Sequence, residues 1–566
     1  MILSAISLWK KFNLKTPLGA SEWGIEDRNG VRFSHVAYSG HVVEDGNVRI
    51  YAQFGRPNGT DKKPAVLLLQ DAGEPIDREM MQYFIDKGYA VLMPDYSGKM
   101  SADEEGIMRT VYPASLAHGN YEQARGLNDL KDISAEESTW FEWVYVALFS
   151  IKYLKERADV GNIGVVGVRK GGEIAWQTML SPDVKCGVPI NAAGWRSFLN
   201  IAKFGDNVAH NLSDDRHRYI AALEAQSYAP YVKCPVLMLC ALRDIEFDCD
   251  RAYDTYSRIG NEDGNALVYS PNSGACIGPN GLLDMDLFLE QNLKGREIYI
   301  PDTLNVSVKE EGDSLTVDVE CDPEGLLDEA GVYYAEADVK TKSNYREWRC
   351  VYTIDGKSVK NGKVSCKIKP FEGAKAVFVY AYAKYINGFR VMSKITSKRL
   401  SNPNSSAVKS RRIFSGKEMD CFGIADYKST AVGGIFLERE AIPKVVTGYG
   451  DIAGASSISG IKTYKISSPR YIPDENALLE FDAYFKETET LIVTIDLADV
   501  ESDRERYSCE VEVKGGGKWK RIILKAADFK GETGGMPLKN FSDGRALSFK
   551  CENEDVEYAI TNILWL

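Results

Sequence analysis

The chain has 566 residues, of which 44% are hydrophobic and 27% are charged, a composition typical of folded globular domains. At roughly 150 residues per domain, this length predicts three or four structural units. The formal net charge is −12 and there is no dense Lys/Arg stripe, which excludes the basic surface that a nucleic-acid partner requires.

The cysteines and the first residues predict a cytoplasmic location. The 11 cysteines are an odd number without C-x-x-C spacing, so we expect free thiols and no metal site, although a metal in the last segment stays open. The stretch MILSAISLWKKFN places an apolar run before its lysines, the reverse of a secretory signal. No run approaches 18 apolar residues, so we expect no membrane partner. No cofactor is predicted, and the oligomeric state stays open.

Residues 1–299 alternate strand-like and helix-like stretches. The strand-like stretches are VRIYAQFGRP, PAVLLLQDAG, YAVLMPDYSG, IGVVGV, CGVPINAAGW, PVLMLCAL and NALVYSPNSG. The helix-like stretches are DREMMQYFIDKG, AEESTWFEWVYVALFSIKYLKERA, GGEIAWQTML and LLDMDLFLEQNLKG. This alternation predicts an α/β domain with a doubly wound parallel sheet, and the polar, helix-prone residues 196–230 predict a lid insertion.

From residue 300 the pattern changes to all-β. Short alternating strands up to residue 400, such as TLNVSVKEEG and AVFVYAYAKY, are typical of a sandwich. This segment, residues 300–400, resembles an immunoglobulin- or fibronectin-III-like spacer. A polar linker, SNPNSSAVKS, follows. A second all-β domain is predicted over residues 410–566.

The stretch NIGVVGVRKGGEIAW, residues 162–176, reads as a buried strand, a glycine turn and a helix. Many hydrolases carry a nucleophilic serine on such a turn, in the pattern G-x-S-x-G. Here Arg169 takes the middle position, and a guanidinium is no nucleophile. The sequence therefore keeps the predicted shape of the turn without its reactive group.

With the stretches LLLQDAGEPIDREMMQYFIDKGYAVLMPDY, CPVLMLCALRDIEFDCDRAYDTY and SPNSGACIGPNGLLDMDLFLEQNLKG, this turn resembles the α/β-hydrolase fold. Within it, residues 1–299 resemble the dienelactone-hydrolase and acetylxylan-esterase-like group. The resemblance implies a triad of serine, acid and histidine in that chain order. It places Asp244 at the acid position and the histidine near Cys276. The chain's histidines, His35, His41, His118, His210 and His217, all precede Asp244. The resemblance therefore implies a degenerate triad.

Several replacements stay open at this stage. Cys276 could act as a nucleophile if Arg169 lowered its pKa, or it could be a small buried residue in the place of the histidine. His118, His210 or His217 could enter the pocket from the lid segments. Asp71 and Gly73 lie where the family's oxyanion loop is expected and are candidate ligand-binding residues, or an ordinary turn.

Arg169 has two possible partners. As an internal pair, it would fill the space of the lost serine and histidine and bond to Asp244 or Asp71. As a ligand site, Arg169 and Lys170 would hold an anion at the N-terminus of the helix.

The last segment resembles a carbohydrate-binding jelly roll of the kind attached to glycoside hydrolases. The resemblance is carried by LLEFDAYFKETETLIVTIDL, YSCEVEVKGGGKWKRIILKAADFKGETGGMPL and ITNILWL. It implies aromatic rings that stack on sugars, with Trp519, Tyr484 and Phe541 as candidates. Strand aromatics also serve as core residues.

Three functions follow from these patterns. The first is a non-catalytic or highly atypical relative of the hydrolases that binds a carbohydrate or an acylated ligand. The second is an active carboxylic-ester hydrolase with an unusual site built from Cys276, Asp244 and Arg169. The third is a structural scaffold.

Overall fold

A computed structural model describes residues 4–28, 30–99, 109–199, 201–205, 212–271, 274, 276–322, 324–339, 342–371, 374–401, 409–416, 421–425, 431–432, 435–437, 442–497, 505–553 and 556–566. The predicted linker lies largely outside these residues, as does His210.

The first segment contains a nine-stranded sheet in the order β1-β2-β3-β5-β4-β6-β7-β8-β9. Its strands are β1 (Ser21–Arg28), β2 (Val31–Val43), β3 (Gly46–Pro57), β4 (Lys63–Leu69), β5 (Ala90–Pro94), β6 (Val160–Val168), β7 (Val184–Ile190), β8 (Leu237–Ala241) and β9 (Ala266–Ser270). The strands from β5 to β9 in this order pair in parallel, whereas β1, β2 and β3 pair antiparallel at one edge. The predicted α/β-hydrolase sheet is confirmed, with an antiparallel edge that the alternation did not predict.

The helices that accompany this sheet are α1 (Ala5–Trp9), α2 (Arg78–Asp86), α3 (Thr139–Glu156), α4 (Lys170–Thr178), α5 (Asp214–Ala222), α6 (Ala225–Tyr228), α7 (Ala252–Tyr256) and α8 (Pro279–Lys294). Four of them, α2, α3, α4 and α8, pack directly against its strands. The helix α3 begins after Ser138, whose hydroxyl accepts a hydrogen bond from the backbone N–H of Phe141. Nearly all of α3 is buried, because its apolar residues surround the helix on every side. The helices α5 and α6 lie in the predicted lid region.

The second segment forms two antiparallel sheets. Their strands are β10 (Asn305–Glu311), β11 (Ser314–Glu320), β12 (Leu327–Ala337), β13 (Arg349–Asp355), β14 (Lys363–Ile368), β15 (Ala376–Tyr385), β16 (Arg390–Met392) and β17 (Thr396–Arg399). Burial alternates along β11 and β14, as expected for strands with one face on a core. A large region of β-sheets therefore follows the α/β domain, as predicted.

The third segment also consists of antiparallel strands, mainly in two six-stranded sheets. The strands are β18 (Arg412–Phe414), β19 (Phe422–Ile424), β20 (Ala431–Val432), β21 (Phe436–Leu437), β22 (Lys444–Thr447), β23 (Ala453–Ser456), β24 (Ile461–Thr463), β25 (Leu479–Phe485), β26 (Glu489–Asp496), β27 (Arg506–Val513), β28 (Lys518–Leu524), β29 (Lys530–Gly531), β30 (Ala546–Cys551) and β31 (Tyr558–Trp565). The rings of Phe481 and Phe549 meet between the two sheets at 5.0 Å between centroids. These sheets enclose a separate hydrophobic cluster.

The first two segments share one continuous hydrophobic cluster. Buried ion pairs also cross between them: Asp250 with Arg346, Arg243 with Glu347 and Asp284 with Arg390. The predicted spacer is thus packed firmly onto the α/β domain. The limits 1–299, 300–400 and 410–566 stay a proposal for the domain division.

All 11 cysteines are within the described residues, and each is a free thiol. Within the described parts of the chain, no helix is both long enough and apolar enough to cross a membrane.

Candidate functional site

The turn between β6 and α4 keeps the geometry of a nucleophile elbow. Arg169 lies on it with φ 45° and ψ −113°, a left-handed conformation that costs a residue with a side chain about 1–3 kcal/mol. The flanking glycines are required by close packing. A Cβ at Gly171 would lie 2.2 Å from the carbonyl oxygen of Leu69, and one at Gly167 would lie 2.4 Å from the carbonyl oxygen of Gly171. The turn therefore has the strained shape of a nucleophile elbow, although its central residue, Arg169, cannot attack an acyl group.

Arg169 forms an internal pair with Asp244, as one of the two sequence hypotheses predicted. The Arg169 Nε donates to Asp244 Oδ2 at 2.9 Å, and Asp71 Oδ2 lies 3.6 Å from the guanidinium. Asp244 also accepts hydrogen bonds from Asn191 Nδ2 at 2.9 Å and from the backbone N–H of Glu246 at 2.8 Å. Burial raises the pKa of Asp244, and Arg169 opposes that rise. Asp244, which the resemblance places at the acid position of a triad, is thus held by arginine and amide donors.

Asp71 accepts two backbone hydrogen bonds beside the elbow. In α/β-hydrolases the oxyanion hole uses the backbone N–H after the nucleophile and a second N–H from the loop after an earlier strand. Here the N–H of Lys170 donates to Asp71 Oδ1 at 3.3 Å, and the N–H of Ala72 donates to the same oxygen at 2.9 Å. The side chain of Asp71 therefore already accepts hydrogen bonds from both of these N–H groups.

Lys170 is buried, not directed to solvent. Its Nζ donates to Glu246 Oε2 at 2.8 Å and lies 3.5 Å from Asp71 Oδ1. Arg196, from the lid region, lies 4.0 Å from the same Glu246 oxygen. The elbow thus brings together three cations and three carboxylates. The cations are Arg169, Lys170 and Arg196, and the carboxylates are Asp71, Asp244 and Glu246. Because each cation already faces a carboxylate, the anion-site hypothesis for Arg169 and Lys170 loses its support.

Gly73 contributes a turn and no free donor. Its φ is +87°, and a Cβ there would lie 2.8 Å from the ring of Tyr121. Its N–H donates to Ser97 Oγ at 3.1 Å. The candidate ligand-binding role of Gly73 has no support in these contacts.

Cys276 is fully buried, and its thiol interacts electrostatically with both Arg169 and Asp244. Burial raises the pKa of the Cys276 thiol to about 12, Asp244 adds to the rise, and Arg169 only partly opposes it. The thiolate is the nucleophile of a cysteine enzyme. A thiol that stays protonated at neutral pH fits the buried filler role better than the catalytic role.

None of the described histidines replaces the missing one. His118 is buried in the segment before α3, and burial lowers the pKa of its imidazole to about 4. His217 is exposed on α5. His35 is hydrogen-bonded to Tyr51, and His41 is hydrogen-bonded to Glu142. Among the described contacts of Asp244, no histidine appears.

Sequence reasoning missed Asn191, Glu246 and Arg196. Each follows a strand at the edge that carries Arg169, and Glu246 comes only two residues after Asp244. Polar residues in the loops that follow buried parallel strands are a usable signal, since these strand ends meet at one edge of the sheet.

Glu173 on α4 supports the start of the lid region. Its Oε1 accepts the N–H of Gly194 at 3.0 Å, and burial raises the pKa of Glu173 to about 7. Because the pKa of Glu173 is raised in the folded protein, its stabilising contribution is fully present below about pH 4.5. That contribution is lost as the pH rises through about 7.

We therefore expect Glu173→Gln to be more stable than the parent by about 1–3 kcal/mol at pH 8, and nearly equal to it at pH 4.5. The amide keeps the acceptor for Gly194 without the buried charge. Urea denaturation at the two pH values measures this, with Glu136→Gln as the control, since it weakens only an exposed ion pair with Lys11 and should change stability by under about 1 kcal/mol. A variant less stable than the parent at pH 8 contradicts the expectation.

The aromatic candidates of the third segment differ in position. Phe541 is core, because it is buried against Phe529 and Trp565. Trp519 is half-buried beside Tyr484, with ring centroids 5.5 Å apart on neighbouring strands. Tyr484 is itself buried, so Trp519 is the candidate of the three that keeps an exposed part for a sugar ring.

Metal ligands do not cluster in the described residues, where no group of three or more His, Cys, Asp or Glu side chains could hold an ion.

Residues 50–269 match the sequence profile of the Dienelactone hydrolase family, less than half of the chain. Solved structures with a similar fold include acetyl xylan esterase 1 from Thermoanaerobacterium sp. JW/SL YS485, at 15% identity, 50% coverage of this chain, 92% of that chain and a TM-score of 0.41. Another is the acetyl xylan esterase from Paenibacillus sp. R4, at 16% identity, 51% and 92% coverage and a TM-score of 0.39. At these values neither likeness bears on activity. No curated protein matches the sequence significantly.

The fold and the family profile together define an α/β-hydrolase-like region at the start of the chain. The profile includes Asp71, Arg169 and Asp244 and ends before Cys276.

Proposed function

We propose that this protein is a non-hydrolytic relative of the α/β-hydrolases that binds a carbohydrate or an acylated ligand. The observation that carries the proposal is the pairing of Arg169 with Asp244 at the elbow. An arginine that is neutralised by the triad's acid can neither attack an ester nor activate another group by proton transfer.

The oxyanion position supports the same proposal. Removing a single oxyanion donor already costs a hydrolase about 10²–10³ in kcat. Here Asp71 holds both candidate N–H groups, and its negative charge would repel a developing oxyanion. Nucleophile, base and oxyanion hole are therefore all replaced by internal contacts.

The carbohydrate part of the proposal rests on the third segment. The half-buried Trp519 lies beside the buried Tyr484 on one face of its sheet, so Trp519 carries the part of the ring surface that a ligand can reach. Asp482 and Asn562 are hydrogen-bonded to each other on a neighbouring part of the same sheet, at 2.8 Å. Aromatic rings beside polar side chains are the combination that recognises a sugar. A scaffold role is the alternative, and the absence of any glycan binding would favour it.

We expect the purified protein to hydrolyse short activated esters, such as p-nitrophenyl acetate, no faster than a heat-denatured sample. A triad enzyme loses about 10⁴–10⁶ in kcat when one or more of its members are removed. Labelling with a fluorophosphonate probe should leave every serine unmodified. The variant Arg169→Ser should stay inactive as well, because no histidine follows Asp244 in the chain.

Two outcomes would contradict this expectation. Stoichiometric labelling of one serine would establish a serine hydrolase. Ester hydrolysis that disappears in Cys276→Ala would establish the cysteine-based hydrolase instead.

A further inference from the structure

A cleft of about 1320 Å³ lies where the three segments meet, separate from the elbow. The start of α8 and the loop before it form one wall. The sheet that contains β12 and β15 forms the second, and residues 422–424, 436 and 442–443 form the third. We call it the interdomain cleft. The buried ion pairs that join the first two segments hold its walls at a defined spacing.

One wall presents tyrosine rings. Tyr382 on β15 lies opposite Gly331 on β12, where a Cβ would be only 2.3 Å from the Tyr382 ring. The glycine therefore lets this ring lie flat against the sheet. Tyr333 adjoins it, with centroids 5.6 Å apart and the ring planes at 55°. Both rings are partly exposed and line the cleft, so they offer an angled aromatic surface to a ligand.

Polar groups border these rings. The Tyr382 hydroxyl donates to Glu329 Oε1 at 2.6 Å and lies 3.2 Å from Thr353 Oγ1. Tyr269 also lines the cleft, and its buried hydroxyl has no hydrogen-bond partner among the described residues. A buried hydroxyl without a partner costs about 1–3 kcal/mol, so a ligand or solvent hydroxyl is the expected occupant of this position.

The charges of the cleft disfavour an anionic ligand. Its three cations are each paired with a carboxylate at 2.7–2.9 Å: Lys87 with Asp286, Lys384 with Asp328 and Arg390 with Asp284. A site of about 1320 Å³ also exceeds the about 300–1,000 Å³ of an ordinary small-molecule pocket. The chemistry that fits is an extended, neutral ligand with many hydroxyl groups and rings of its own.

We propose that the interdomain cleft binds a neutral oligosaccharide, with Tyr382 and Tyr333 stacking on its sugar rings. This inference rests on the ligand class of the proposed function, and it places the binding site in a different part of the molecule from Trp519.

The test uses isothermal titration calorimetry on the full chain, with β-1,4-linked tetrasaccharides of glucose, xylose and mannose as probes. Gly278→Trp fills the cleft. Gly278 has φ −72°, and no atom lies within 4 Å of the position that a Cβ would take there, so the bulky side chain fits without strain. We expect Gly278→Trp and Tyr382→Ala to weaken binding by tenfold or more. The exposed Met536→Trp, on the third segment, should leave the affinity within twofold of the parent.

The variant Trp519→Ala distinguishes the two places where a sugar could bind. If Trp519→Ala abolishes binding and Gly278→Trp does not, the cleft proposal is overturned while the carbohydrate ligand class stands. If the parent gives no heat with any tetrasaccharide, both the cleft proposal and the carbohydrate part of the proposed function are wrong. The expected absence of ester hydrolysis in the parent is measured separately, so the calorimetric results do not affect it.

Discussion

Arg169→Ala should lower the free energy of unfolding by about 3–5 kcal/mol, because it leaves Asp244 buried without its cationic partner. The guanidinium is only 18% exposed and Asp244 is fully buried, so solvent cannot replace the lost pair. Asn191 and the backbone N–H of Glu246 would still donate hydrogen bonds to the Asp244 carboxylate, and these bonds limit the loss of stability. Thermal and urea denaturation measure the change.

The pH dependence has a definite sign. Burial raises the pKa of Asp244 in the parent, and removing Arg169 raises it further, since Arg169 is the group that lowers it. A carboxyl with a raised pKa destabilises the folded state as the pH rises through that value. The deficit of Arg169→Ala should therefore be smaller at pH 5 than at pH 8.

The control for this prediction is Lys155→Ala, which removes an exposed ion pair with Asp183 in the same domain. A pair of this kind contributes about 0–1 kcal/mol. Combining Arg169→Ala with Asp244→Asn should recover part of the loss, because the orphaned charge is gone. If Arg169→Ala unfolds at the same urea concentration as the parent, the internal pair does not stabilise the protein.

Arg346→Ala should cost a comparable amount, about 3–5 kcal/mol, at the junction of the first two segments. Its guanidinium bonds both oxygens of Asp250, at 2.5 and 2.7 Å, and lies 3.5 Å above the centroid of the Phe378 ring. Both ends of the pair are buried. The substitution removes the bidentate bond and the ring contact and leaves Asp250 without this counter-charge.

A neighbouring carboxyl makes this loss pH-dependent. Burial, with a contribution from Asp250, raises the pKa of Asp248 to about 6, and Arg346 is one of the groups that oppose the rise. Without Arg346 the charged form of Asp248 loses a favourable interaction and its pKa rises further, so the deficit should grow between pH 5 and pH 8. The matched control is Lys309→Ala, which breaks an exposed pair with Asp318 in the same segment and should cost under about 1 kcal/mol. If Arg346→Ala and Lys309→Ala lowered the free energy of unfolding by the same amount, the prediction would be contradicted.

Much of the architecture could be predicted from hydrophobic patterns. Continuous apolar runs such as PAVLLLQDAG became parallel strands buried on both faces, and the run at residues 139–156 became α3. The edge strands β1 and β2 were not predicted. The strand β1 is largely exposed and rich in charged residues, so its residues carry little hydrophobic signal.

The site could be predicted only in part. The partner of Arg169 was expected to be Asp244 or Asp71, because a buried guanidinium needs an acid and the family layout supplies two. The position of Lys170 was not predicted. Its side chain is buried by Glu246, an acid that follows a different strand and meets it only when the sheet forms.

The sequence by itself determined that no serine stands on the elbow and that no histidine follows Asp244, because covalent identity and chain order do not change on folding. Only the tertiary structure decided what replaced them. The order of the parallel strands brings Asp71, Arg169 and Asp244 to one edge of the sheet, where Arg169 pairs with Asp244 and Asp71 accepts the N–H of Lys170. Burial, a property of the packed chain and not of any residue type, keeps Cys276 a neutral thiol.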